Sequence, residues 1–149
     1  MTAITNLYNT IYTIVSTTLT SRLELYNPYD LENNSDLTLK KGYGIAFQES
    51  TYNQELYNVQ RDTSRNIVIS LTERVDDHRA SSSVRRVVEK NLFEDRYSII
   101  SALINNFEIH KYGEELDLVG DNGIEFVRAE GKNYLALRIT FSLKYSENF

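Results

Sequence analysis

The segment from Tyr134 to Tyr145 constrains the fold more than any other. Leu135, Leu137, Ile139, Phe141, Leu143 and Tyr145 alternate without a break against Tyr134, Ala136, Arg138, Thr140, Ser142 and Lys144. A period of two predicts a β-strand with one face buried and the other in water. Core strands in small domains usually run to roughly 5–6 residues, and this ladder is about twice that. It implies a sheet that reaches past the body of its domain, a shape suited to assembly more than to catalysis.

The rest of the chain supplies partners for that strand. Ile4, Leu7, Tyr8, Ile11, Ile14, Val15 and Leu19 recur at spacings of three and four, which predicts a helix over residues 3–21. Its many threonines lose χ1 freedom in a helix, so it depends on tertiary packing. A short strand is expected from Arg22 to Tyr26 and a polar loop from Pro28 to Lys41. Alternation resumes from Gly42 to Gln48, with Tyr43, Ile45 and Phe47 on one side. A polar tip, Glu49 to Asn58, then leads into a strand over Val59 to Val75. Gln60 to Asn66 is polar on both faces, which reads as the stem of a long β-hairpin projecting from the sheet over about residues 48–66.

The strongest helix pattern spans Ser82 to Asn106, with Val84, Val88, Leu92, Ile99, Leu103 and Phe107 on one face. At ~1.5 Å per residue it is long enough to cross a sheet. Two strands, Glu115 to Val119 and Ile124 to Ala129, are expected to flank a hairpin at Asp121-Asn122-Gly123, because Asn and Gly tolerate positive φ. Hairpin-linked strands with only two helices define an α+β class. The expected architecture is one domain over residues 1–149, a mostly antiparallel sheet with two helices packed on one face.

Composition narrows the function. Acids outnumber bases 21 to 16, for a net charge of −5, which argues against a nucleic-acid binder that must neutralise phosphates. Cysteine is absent, so a disulfide framework, a thiolate nucleophile and a sulfur-ligated metal are excluded. The N-terminal apolar residues are interleaved with Thr and Asn and lack a basic flank, unlike a secretory leader, and no apolar run is long enough to span a membrane. Eleven tyrosines suit a β-rich chain and also suit interfaces, where the ring is buried and the hydroxyl stays hydrated.

The clusters that resemble chemistry read better as structure. Asp76-Asp77-His78 stands between a strand and a helix, where acids favour the helix N-terminus. His110 follows a helix end and can meet its last carbonyls. Glu114, Glu115, Asp117 and Asp121 lack the spacing of a calcium loop and read as solvated strand-edge acids. Gly42-Tyr43-Gly44 lacks the strand-then-helix setting of a phosphate loop, and no Gly-x-Ser-x-Gly elbow exists. No catalytic, cofactor or metal residue is therefore assigned. Tyr52, Leu56 and Tyr57 at the hairpin tip, with Arg61 and Arg65 on its stem, are the expected subunit or partner contacts. They are aromatic, apolar and cationic anchors on a segment too polar to be core.

Gly42-Tyr43-Gly44-Ile45-Ala46-Phe47, then Gln60 through Thr72, the long helix, and the ladder Asn133 to Phe141 together resemble the tail-terminator and tail-completion proteins of long-tailed bacteriophages. The resemblance covers most of the chain in element order and carries no catalytic signature. It implies a structural virion protein of the tail neck, made in the host cytoplasm, needing no cofactor and acting as a hexameric ring. The implied neighbours are copies of itself, the tail tube protein and the head–tail connector or stopper protein. DNA would pass through without specific binding. Two other expectations stand beside it: another neck, head-closure or baseplate adaptor, and a small-ligand or carbohydrate-binding α+β module using its tyrosines.

Overall fold

The elements run α1 (Ala3–Thr18), β1 (Leu23–Glu24), β2 (Lys41–Glu55), β3 (Gln60–Val75), α2 (Ser82–Ile104), α3 (Phe107–His110), β4 (Glu115–Ala129) and β5 (Lys132–Asn148). The structure, a computed structural model, describes residues 3–25, 27–29, 40–55, 60–75, 82–111, 114–129 and 131–148; for 52–55, 60, 61, 129 and 148 it describes the backbone alone. The fold is α+β with a five-stranded sheet in the order β1-β2-β3-β5-β4. Only the β1–β2 pair is parallel.

The alternating ladder forms β5, which is an interior strand. Leu137, Ile139, Phe141 and Leu143 are fully buried, in rows continued by Leu71, Ile69, Ile67 and Arg65 of β3. Leu7, Ile11 and Val15 of α1 and Val88, Leu92, Ile99 and Leu103 of α2 join the same core cluster. Both helices thus cover one face of the sheet. Each such side chain contributes about 1.5–3 kcal/mol by leaving water, which holds the threonine-rich α1 helical. The α2 stripe begins later than its sequence pattern suggests, for Val84 is exposed.

The opposite face is not uniformly wet. Tyr134 and Ala136 are buried there with Leu25 and Val127. Leu25 leaves β1 and crosses this face with Pro28, over a floor of small residues. A Cβ built on Gly44 would stand 2.5 Å from the Pro28 Cβ, so the close approach requires glycine. Farther along, Lys144 is exposed as the alternation predicts.

Three expectations are corrected. Asp121-Asn122-Gly123 does not turn the chain back: β4 is one strand, paired with β5 from Glu115↔Lys144 to Ala129↔Lys132. The register shifts between Leu118 and Gly120 and between Asp121 and Ile124, so each site inserts an extra residue as a bulge. Positive φ at Gly123 (75°) suits a bulge as well as a hairpin, and side chains repair the ladder. Asp121 Oδ1 accepts from Gly123 N at 2.8 Å, and Asn122 Oδ1 accepts from Arg138 N at 3.2 Å.

Secondly, β2 continues to Glu55 through two register shifts of its own, between Phe47 and Ser50 and between Tyr52 and Gln54. The ladder forms from backbone groups, so polar side chains did not end it. Thirdly, the hairpin arm over residues 60–66 is no lone ribbon, because it pairs on its other side with β5 residues 142–148. Two-sided polarity does not mark a free ribbon, since main-chain pairing does not require an apolar face.

Candidate assembly interface

Arg65 is the one expected contact residue whose side chain the structure describes, and it is half-buried and bonded within the chain. Its Nη1 donates to the Gln48 carbonyl at 2.6 Å and its Nε to the Tyr145 hydroxyl at 3.3 Å. Gln48 lies in the Phe47–Ser50 irregularity, so the guanidinium takes up a carbonyl there. Burial pushes the Tyr145 hydroxyl above its usual pKa, while Arg65 opposes that shift. Within the chain Arg65 is thus a clamp on a bulge. Backbone register puts residue 61 on the same face as 65. Tyr52 lies in β2 opposite Thr63, and Leu56 and Tyr57 lie outside the described residues, as do Asp76, Asp77 and His78.

His110 behaves as its position suggests. Its Nε2 stands 3.1 Å from the carbonyl of Ile104, the last residue of α2, and its Nδ1 lies 3.3 Å from the Glu114 carbonyl. Between them Asn106 caps α3, accepting from Glu108 N at 2.8 Å. The acidic stretch divides by environment. Glu115 and Asp117 are exposed on the β4 edge. Glu114 is buried, and desolvation raises its carboxyl pKa. Asp121 is held below its usual range, chiefly by the Gly123 amide and also by Arg96, whose Nε donates to its Oδ2 at 2.6 Å. Among the described residues, no three His, Asp or Glu converge as a metal ion requires.

Exposed apolar side chains gather at three places instead. On the α1–β1–β2 edge, the Tyr8 ring lies 4.5 Å from Tyr12 and 5.1 Å from Phe47, centroid to centroid. Tyr12 and Phe47 are stacked at 6.4 Å, and the Tyr12 hydroxyl donates to the Ile45 carbonyl at 3.5 Å. Burial first, then the Tyr8 hydroxyl and the Glu24 carboxylate, raise the Tyr12 pKa. Tyr8 remains 43% exposed, and Leu23 and Tyr29 more so. On the other edge, β4 presents Leu118, Val119 and Phe126, with Val119 63% exposed in a bulge. The outer face of α2 carries Phe93 and Tyr97 in a shallow concavity with Arg86, Lys90 and Glu94.

Sequence reasoning missed all three. Phe93 and Tyr97 were legible, one helical turn apart and off the buried stripe. Tyr8 falls within the buried face of the α1 pattern, and only packing beside Phe47 reveals it as marginal. Val119 is outward because of a bulge that no side-chain pattern announces.

Neither a scan against protein-family models nor a search of curated proteins finds a match. No helix among the described residues is long and apolar enough to cross a membrane.

Proposed function

We propose that this chain is a structural subunit of a long-tailed bacteriophage neck, a tail terminator that caps the tail tube and joins it to the head-proximal connector as a ring. The observation that carries the reading is the distribution of exposed apolar groups over two unlike edges of one sheet. Tyr8, Leu23 and Tyr29 stand on the first, and Leu118, Val119 and Phe126 on the second. A ring closes through heterologous contacts, which need two different patches on each subunit. The resemblance in element order supports the same reading. An acidic ring offers few cations to hold phosphates, so a duplex passes through it. Its partners are its own copies, the tail tube protein and the connector or stopper protein, and its place is the virion.

Native mass spectrometry over a wide concentration range, with and without purified tail tubes, tests this. A hexamer, alone or on tubes, is expected; a monomer that ignores tubes overturns the reading. The Tyr8–Tyr12–Phe47 cluster favours one second reading, a module that stacks a sugar or other small ligand on aromatic rings. Such a module stays monomeric, and its melting temperature rises with ligand concentration.

A further inference from the structure

We infer that Asn122-Gly123 is a latent site of self-modification by deamidation. The β4 bulge holds the pair unreactive, and local opening of that bulge lets Gly123 N attack the Asn122 side chain.

The first support is the sequence. Among the asparagines of the chain, Asn122 alone is followed by glycine. Deamidation begins when the next residue's main-chain nitrogen, stripped of its proton, reaches the asparagine Cγ. Glycine has no Cβ to shield that nitrogen, and its backbone is the least restricted. The bond from Gly123 N to Asn122 Cγ forms, the Cγ–Nδ2 bond breaks, and ammonia leaves with the proton that Gly123 N gave up. Water then opens the cyclic imide at either carbonyl, which yields aspartate or isoaspartate.

The second support is that the bulge engages each reacting group. Gly123 N, the nucleophile, donates to Asp121 Oδ1 at 2.8 Å, and Arg96 Nε holds the same carboxylate through Oδ2 at 2.6 Å. Taking the proton from Gly123 N would set an anionic nitrogen against that carboxylate, and a like charge disfavours ionisation. The Asn122 amide is tied at both ends. Its Oδ1 accepts from Arg138 N at 3.2 Å, and its Nδ2 donates to Glu125 Oε1 at 2.7 Å. Glu125 is itself 3.5 Å from Arg138 Nη2. The side chain leaves both partners before its Cγ swings onto Gly123 N.

The third support is exposure. Asp121 and Asn122 are both exposed, so water reaches the imide, and the protection lies in hydrogen bonds rather than burial. The change also runs one way. Aspartate at 122 faces Glu125 with a second carboxylate where a donor stood, and isoaspartate adds an atom to the main chain of β4. Either product opposes closure of the bulge.

Peptide mapping by mass spectrometry follows the amide-to-acid change at residue 122 in mildly alkaline buffer, for the folded chain and for the chain in urea. The folded chain should react at least about tenfold more slowly, as expected where a charge-assisted hydrogen bond must first break. Glu125→Ala and Asp121→Ala, each freeing one reacting group, should raise the folded rate several-fold and leave the rate in urea unchanged. Gly44→Ala, which strains β2 across the sheet from β4, should change neither rate. Equal rates for the folded wild-type chain and the chain in urea overturn the inference, because the bulge then protects nothing. A folded rate that rises as much in Gly44→Ala as in the two bulge variants also overturns it, because global unfolding then admits the reaction.

Discussion

Arg22 Nε donates to Asp95 Oδ2 at 2.6 Å, across 73 positions of sequence. The same guanidinium donates to the Thr72 carbonyl at 2.7 Å and to Glu73 Oε1 at 3.1 Å. Asn91 Nδ2 supplies the other Glu73 oxygen at 3.1 Å. The Arg22 side chain is fully buried, Glu73 nearly so, and Asp95 28% exposed. One planar cation thus fixes the exit of α1 against β3 and α2 at once. Burying it alone would be prohibitive, and its bonds to two carboxylates and a carbonyl offset that desolvation.

Removing Arg22 leaves the nearly buried Glu73 with Asn91 and the more distant Lys41, whose Nζ stands 3.9 Å from Oε1. Arg22→Ala should destabilise the fold by about 3–5 kcal/mol, the usual result of breaking one side of a buried pair. Arg22→Lys should recover only part of this, since a point charge cannot serve three acceptors in a plane. The urea midpoint reads both, and an unchanged slope will attribute the loss to stability.

Gly44→Ala places a methyl where Pro28 already stands, with the Pro28 Cβ at 2.5 Å and its Cα at 3.2 Å. The expected cost is about 1–3 kcal/mol, as for overpacking elsewhere. Pro28→Gly in the same chain should return part of it. Thermal unfolding of the two single variants and the pair gives the coupling directly.

Gly123 has φ of 75° inside the β4 bulge. Gly123→Ala meets open space, so its cost is backbone strain alone, about 1–2 kcal/mol. Equilibrium unfolding measures it. If Gly123→Ala were neutral, the bulge could form without left-handed backbone and the strand would have some other reason to tolerate it.

Two carboxylates should respond to pH in opposite senses. Glu114 has its pKa raised by burial above the ordinary 4.5, so its folded form holds a proton longer than the unfolded chain. Its cost is absent below that ordinary value and grows as pH rises through the raised one. Glu114→Gln should therefore raise the melting temperature at pH 7 and leave it unchanged near the acid end.

Asp121 is lowered from its ordinary 3.8. The stability it adds is present above that value and is lost as pH falls through the lowered one. Asp121→Asn should therefore lower the melting temperature at pH 7, with the difference vanishing in acid. Melting curves of both variants between acid and neutral pH check the two signs.

Much of this fold is written in side-chain periodicity. The alternation from Leu135 to Tyr145, the three-and-four spacing of Leu7, Ile11 and Val15, and that of Val88, Leu92, Ile99 and Leu103 each named an element and the face it buries. They suffice for the α+β class because which side chain leaves water is a local consequence of backbone geometry. Tertiary structure alone decided that β4 continues past Asn122-Gly123, that β2 continues to Glu55, and that Arg65 bonds the Gln48 carbonyl. Main-chain hydrogen bonds are the same for every residue, so an available neighbouring strand can extend a ladder where the pattern signals a stop. The lateral edges were hidden for the same reason. Which strands end the sheet, and which of Tyr8, Leu118 and Val119 remain in water there, depends on strand order and register, which are set by contacts between residues far apart in the chain.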